Sequence, residues 1–484
     1  MSTDTSIPSQ PEYTGRFLIT DGAKDGAATI RALRDRVGLN VASSRDFEGQ
    51  DVGPEAMRGA DGIYLDAIGV TIVEPSGTDQ LRGLSALEDE GRTIEPEQIV
   101  HAMSGDMGSY LEGMRDAIDA VAEKYGEEAA GGGSAGALDV DAEAIGATWG
   151  LRATNVVPGV LWGARGNGGA GIRVAVLDTG MDTGHPDFVG RTIVTQSFVP
   201  GEAVDDGHSH GTHCIGTACG PAVPATGVDR YGVAYNSEIY VGKVLSNAGS
   251  GADGWILGGI NWAIANGCHV VSMSLGARVT DGSFSAAYEQ AAQAALNSGC
   301  LIVAAAGNGY SQPVSRPANS PSIMAVAAVD DMLAKAGFSN IGTFPPHGAI
   351  DIAGPGVGTF SSVPRHLGTH GNKSGTSMAT PHVAGIAALY ANTDPALRGM
   401  ALWNKLTATA KVLPLPVEQV GAGLVQAPIY PRFRHWVDWP IFRHPILKDP
   451  VIIPKIPRFP PIPVPPFPEP PIPPLARGAK ASKK

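Results

Sequence analysis

Four cysteines, at positions 214, 219, 268 and 300, are all that a chain of 484 residues contains. So few in so long a chain exclude a disulfide-stapled scaffold. No apolar run reaches the ~20 residues needed to span a bilayer, which excludes a transmembrane protein. Met1 to Gly15 is polar, without the basic and then apolar stretches of a Sec-type signal peptide, and no twin-arginine pair precedes an apolar stretch. With the scarcity of cysteine, this favours the cytoplasm and leaves export by another route open. An excess of positive charge is also missing. The net charge is −12, although the last 56 residues carry ten Lys and Arg against three Asp and Glu. The body is therefore strongly acidic, which argues against nucleic-acid binding by it.

What is present divides into four stretches. A single core rarely grows past ~250–300 residues, so this length predicts two or three domains. Residues 13–103 read as a small α+β unit of order βαββαβ, a split-βαβ sandwich. Its strands are expected near 16–20, 40–44, 67–74 and 92–102, and its helices over 27–37 and 79–87. Residues 104–143 hold an amphipathic helix over 106–127 and a flexible glycine-rich linker, AAGGGSAG at 129–136. From 144 to 428 short apolar runs such as IRVAVLD, IYVGKVL, HVVSMSL and CLIVAAA alternate with helical segments. Such runs belong to parallel strands buried on both faces, so the expected fold is α/β, a doubly wound, mostly parallel sheet. Residues 429–484 contain 16 prolines, which forbids helix or central strand and predicts an extended tail.

Four segments carry candidate chemistry. In VAVLDTGMDTGHPDF, Asp178 ends a buried strand, where a carboxylate can accept a bond from an imidazole Nδ1–H and fix its tautomer. In DDGHSHGTHCIGTACG, His210 is the candidate general base, with His208 and His213 as competitors. A histidine cluster also suggests zinc, but no third ligand is evident. In IVAAAGNGY, Asn308 lies between glycines, and its NH₂ can stabilise an oxyanion. In GNKSGTSMATPHVAGIAALY, Ser377 sits on a turn that opens an apolar helix, whose free N–H groups favour a developing negative charge. Taken singly, each has a plain alternative: a strand-end turn or cap, a metal-binding histidine cluster, an Asn–Gly turn, an N-cap. Together they outweigh it.

These segments resemble the motifs of the subtilisin-like serine proteases (subtilases, peptidase family S8), in the family's order of Asp, His and Ser. The resemblance covers roughly residues 146–427. It implies that Asp178, His210 and Ser377 form a triad, with Asn308 and the Ser377 N–H as oxyanion donors. It implies that Gly249, Ser250 and Gly251, with Ser274, Leu275 and Gly276, pair with a peptide substrate as an added strand. Ala305, Ala306 and Gly307 would line the pocket for the residue preceding the cut, favouring an apolar side chain. Arg316 is the alternative there, reaching the rim and favouring an acidic one. Pro317 matches a cis-proline position. No cofactor is required for the reaction, and Asp187 matches one ligand of a structural calcium, although GPAVPATGVDRY replaces the usual binding loop.

The unit before the linker resembles the family's inhibitory prodomain, an intramolecular partner whose tail, EPEQIVHAM, would lie in the cleft. The intervening 104–143 leaves the point of maturation open. The expected activity is hydrolysis of protein or peptide bonds by an endopeptidase made as an autoinhibited zymogen. The alternatives are a dedicated processing protease for one precursor and a peptide-binding pseudoenzyme, though no triad residue is missing. The tail reads as a spacer or as a proline-rich ligand for a partner. Cys214, one helical turn after His210, reads as a small buried hydrophobe, and its spacing from Cys219 forbids a bond between the two.

Overall fold

In the chain's structure, a computed structural model, residues 11–22, 25–47, 59–89, 91–103, 146–157, 167–279, 282–343 and 348–428 are described. The helix expected over 106–127, the glycine-rich linker and the proline-rich tail lie outside them. All the described residues lie within one unit, Met1–Arg432.

The N-terminal part follows the order β1 (Tyr13–Thr20), α1 (Gly26–Ala32), β2 (Val41–Ser43), β3 (Gly62–Leu65), β4 (Val70–Val73), α2 (Thr78–Glu88) and β5 (Thr93–Ala102). Its sheet runs β5-β1-β4-β3-β2. The sequence suggested one strand at 67–74, but GIYLDAIGVTIV folds as a hairpin, with Leu65 opposite Val70. The apolar turn residues Ala67 and Ile68 conceal that turn, which Gly69 closes at φ +72°. The helix expected over 27–37 loosens after Ala32 into a π-helical turn, Leu33–Val37. Side chains alternate between two cores, as period 2 requires. Ile19 and Val73 face Leu33, Leu84 and Leu87, while Leu18 and Ile72 share a cluster with Ile256, Leu257 and Ile260 of the larger region.

That larger region is built on a second sheet. Its strands are β6 (Arg173–Asp178), β7 (Ile193–Ser197), β8 (Glu238–Lys243), β10 (Val270–Met273), β12 (Leu301–Ala305), β13 (Met324–Val329) and β14 (Ile352–Pro355). They lie in the order β14-β13-β12-β10-β6-β8-β7, and every neighbouring pair is parallel. Along β6, Val174 and Val176 face α3 (His210–Cys219) and α6 (Thr376–Thr393); Ala175 and Leu177 face α4 (Asp253–Ala265) and α5 (Ala286–Asn297). Helices on both faces explain why the strands read as continuous apolar runs rather than alternating ones. Short strands β9 (Ser250–Ala252) and β11 (Leu275–Gly276) stand apart from this sheet, and β15 (Thr359–Ser362) pairs with β16 (His370–Lys373).

The two parts meet through β5. Its C-terminal end pairs antiparallel with β9 on one side and β11 on the other. Beneath it, carboxylates cap helix ends, whose first N–H groups have no partner within the helix. Glu97, fully buried, accepts from Gly254 N at 2.8 Å and from Arg16 Nε at 2.6 Å. Glu95 accepts from Ala287 N at 3.0 Å. Asp253, at the start of α4, returns the contact by accepting from Gln98 N at 2.8 Å. Burial pushes Asp253 up to about 6, against the pull of Arg316, 2.7 Å away.

Glu97→Ala leaves Arg16, Thr14 and Gly254 N without their acceptor. The expected cost is about 3–5 kcal/mol, concentrated in the seating of β5. Amide exchange should speed up at β5 and at the first turn of α4 while β12 and β13 stay protected. Unchanged exchange at β5 would show that this carboxylate does not hold the two parts together.

Candidate active site

The strand end carrying Asp178 and the helix start carrying His210 are laced together by Asp206. One of its oxygens accepts from Thr179 Oγ1 at 2.8 Å and Ser209 N at 2.8 Å; the other accepts from Thr212 N at 2.8 Å. Gly211 brings the helix close to the loop after β6, since a Cβ there would lie 2.2 Å from Gly180 O. In that frame His210 Nδ1 lies 2.7 Å from Asp178 Oδ1, with both side chains buried. A carboxylate only accepts, so Nδ1 carries the proton of this bond. Nε2 has no hydrogen-bond partner among the described residues.

Ser377 is the second residue of α6, so its backbone N–H is one of the donors that the helix cannot use. Four residues on, Pro381 has no N–H to give to the Ser377 carbonyl. That oxygen accepts instead from Ser274 Oγ at 2.8 Å and contacts Cys214 Sγ at 3.6 Å. The Ser377 hydroxyl donates to the Met103 carbonyl and lies 3.2 Å from Ser274 O, rather than bonding to His210.

Asn308 follows β12 on a turn in which Gly307 holds φ +111°. A Cβ on Gly307 would meet Ser315 Oγ at 2.3 Å and Asn340 Nδ2 at 2.4 Å. The Asn308 amide is oriented by Thr376, whose N and Oγ1 both donate to Oδ1 at 2.9 Å. Nδ2 then points into the cleft and donates to Met103 O at 2.7 Å.

Met103 is therefore the residue on which the candidate groups converge. It arrives on an extended strand: Val100 is opposite Gly251, His101 opposite Ser250 and Gly276, and Ala102 opposite Leu275. Ala102 N donates to Gly249 O at 2.9 Å, and Met103 N to Ser274 O at 3.1 Å. The segments 249–251 and 274–276 thus pair with the backbone of the chain's own Ile99–Met103. Ala305, Ala306 and Gly307 are buried at the end of β12. Gly276 bounds the Met103 side chain, for a Cβ there would lie 2.4 Å from Met103 Cε.

The competing residues separate from this centre. His213 Nε2 bonds to Thr359 O at 2.9 Å, and burial pushes its pKa well below the usual range. The His208 ring stands 6.1 Å from that of His210, edge to face. Neither joins a three-residue group able to hold a metal among the described residues. Cys214 is fully buried, its Sγ 3.9 Å from His210 Nδ1. Burial, then the charge of Asp178, raise its thiol well above the usual range. All four cysteines are free. Arg316 does not reach the pocket rim: it is buried against Asp253 and lies 5.5 Å over the Tyr288 ring. The Arg316–Pro317 bond is cis.

Asp187 does not fit the calcium reading. One oxygen accepts from Tyr231 OH at 2.8 Å and pairs with His370 Nε2 at 2.9 Å; the other accepts from Thr226 N at 3.1 Å. Burial opposes its charge, but these bonds outweigh burial and hold the carboxyl below its usual range. Calcium needs six to eight oxygen ligands, whereas Asp187 is surrounded by donors. The nearest candidate ligands are the imidazoles of His185 and His370. His370 lies 183 positions away in the chain, so no local spacing announced it. Asp206 and Thr376 were also missed, although an Asp just before SHGTH and a Thr beside Ser377 are readable as capping groups.

The Subtilase family pattern matches residues 169–423. An alkaline protease of Alkalihalobacillus alcalophilus is 43% identical over 264 residues, 54% of this chain and 65% of its own length. Subtilisin Savinase of Lederbergia lenta is 42% identical over 264 residues, covering 54% of this chain and 91% of its own. The match thus spans just under two thirds of the first of these relatives. Among solved structures, Sphericase superposes with a TM-score of 0.52 at 30% identity, covering 58% of this chain and 98% of its own. By sequence pattern, relatives and fold, the chain belongs to the subtilase family.

Proposed function

We propose that the protein is a serine endopeptidase, acting on protein or peptide substrates, that is made with its cleft filled by its own N-terminal part. The observation that carries this reading is the Met103 carbonyl, which accepts from Asn308 Nδ2 at 2.7 Å and from the Ser377 hydroxyl at the end of a strand-paired peptide. In the proposed reaction Ser377 Oγ attacks the carbonyl carbon and gives its proton to His210 Nε2. Asp178 holds the imidazole and stabilises the imidazolium. Charge on the carbonyl oxygen is met by Asn308 Nδ2 and the Ser377 N–H. His210 then protonates the departing amine, leaving an acyl ester that water hydrolyses by the reverse proton path. Side chains make every proton transfer, so the chemistry requires no cofactor.

Residues 13–103 act in this reading as an inhibitory prodomain, with 144–428 as the catalytic domain. The first cut is expected between Met103 and Ser104. The apolar Met103 against Gly276 supports a preference for unbranched apolar residues before the cut.

Wild-type protein should yield a fragment beginning at Ser104, seen by mass spectrometry, and then react at Ser377 with a fluorophosphonate. Ser377→Ala should stay uncut and unlabelled and lose about 10⁶ in kcat, the magnitude already known for loss of the triad serine in subtilisin itself. Processing at Met103 in the Ser377→Ala protein would reject the nucleophile assignment. Asn308→Ala should lower kcat by roughly 10²–10³ with KM little changed, because its bond strengthens as the oxyanion forms. A loss confined to KM would make Asn308 a ground-state contact. Cys214→Ala should remain active and resist a mercurial that inhibits the wild type, since an adduct displacing His210 by ~1 Å costs about 10²-fold. Equal inhibition of both proteins would place the sensitive thiol elsewhere.

A further inference from the structure

Asn308 projects from a loop, residues 306–315, that follows β12. Thr376 orients its amide, but a different segment holds the backbone from which that amide projects. The tip of the loop demands such support. Tyr310 and Ser311 hold φ +55° and +69°, a left-handed conformation that residues with side chains keep only where their surroundings impose it. The segment 338–341, after β13, runs along both legs of the loop. Phe338 O accepts from Tyr310 N at 3.0 Å, and Ile341 N donates to Gln312 O at 3.0 Å. Between them, Asn340 N donates to Gly307 O at 3.0 Å.

The Asn340 side chain, 2% exposed, completes the clamp. Its Nδ2 donates to Pro313 O at 2.9 Å and to Ala306 O at 3.2 Å, with Ser315 Oγ 3.3 Å away. Its Oδ1 accepts from Gly309 N at 2.7 Å. The two neighbours of Asn308 in the chain, Gly307 and Gly309, are therefore both bonded to Asn340. Carbonyls face one end of the side chain and an N–H faces the other, a set that a carboxamide satisfies and a carboxylate does not. The legs share one direct bond besides, from Ser315 N to Ala306 O at 2.8 Å. The second leg also borders the peptide: a Cβ on Gly276 would meet Met103 Cε at 2.4 Å, Arg316 O at 2.6 Å and Ser315 Cβ at 3.3 Å.

We infer that Asn340 is a positioning residue that fixes Asn308 where its Nδ2 meets the carbonyl oxygen of the bond to be cut. The inference rests on the oxyanion role given above to Asn308. Asn340 acts through the loop. Without its carboxamide, Gly309 N and the Pro313 carbonyl lose a buried partner, and the torsions at 310 and 311 lose the contacts that impose them. A shift of ~1 Å at the amide is enough to cost about 10²-fold in rate. Pairing of the peptide backbone depends on 249–251 and 274–276, so binding should be spared.

The test is a double-mutant cycle on the chain after its own activation, with kcat and KM measured on one short peptide and active sites titrated by a fluorophosphonate. Asn340→Ala should lower kcat by about 10–100-fold and leave KM nearly unchanged. In an Asn308→Ala background the same substitution should lower kcat by less than about twofold, because the group it positions is gone. Asn340→Asp, of equal size and with the Gly309 acceptor kept, should repeat the pattern and serves if the alanine variant does not fold. An equal fall in kcat in both backgrounds, or a change in KM alone, would make Asn340 a structural residue and overturn the inference. If Asn308→Ala by itself leaves kcat unchanged, the oxyanion role fails, and this inference with it.

Discussion

Everything in the molecule is arranged around one antiparallel contact, the seating of Ile99–Met103 between the 249–252 and 274–276 segments. The contact is made by backbone, so it fixes direction and register without prescribing which side chains the peptide carries. It brings the Met103 carbonyl to Asn308 and Ser377, and it also joins the N-terminal sheet to the larger region. The carboxylates beneath it, Glu97, Glu95 and Asp253, extend the same contact into the ends of α4 and α5. Ile99–Ala102 of β5 and the following Met103 thus both fill the cleft and join the two parts.

The residues that meet around the Met103 carbonyl were legible because each follows or opens an element with a strong local signature. Asp178 ends a continuous Val/Ala/Leu run, Asn308 is bracketed by glycines, and Ser377 opens a long small-residue helix. Parallel strands buried on both faces leave the same mark at β8, β10 and β12, so the sheet was legible as well. The hairpin at 62–73 was not, because its turn carries Ala67 and Ile68 in place of polar residues. Tertiary packing outweighs turn propensity there.

What sequence could not give were partnerships between distant positions. Asp187 matched a calcium ligand by its local motif, yet its chemistry is set by Tyr231, Thr226 and His370, which arrive from other segments. Arg316 sits beside the pocket in sequence, but its side chain turns away towards Asp253, fully buried at the start of α4. A motif specifies where the backbone goes. The partners of a buried charge depend on whatever else the fold delivers to that spot.

The proline at 381 has a further consequence. An uninterrupted helix would tie the Ser377 carbonyl to its own next turn and make that residue a rigid part of α6. With that tie absent, the carbonyl is anchored to Ser274, whose own carbonyl receives Met103 N. The segment that pairs with Ile99–Met103 and the backbone that bears the Ser377 hydroxyl are thereby one mechanical linkage. In the reading proposed above, a peptide that strains that segment on entering would also pull on the serine, so fit along the strand would be transmitted to its hydroxyl.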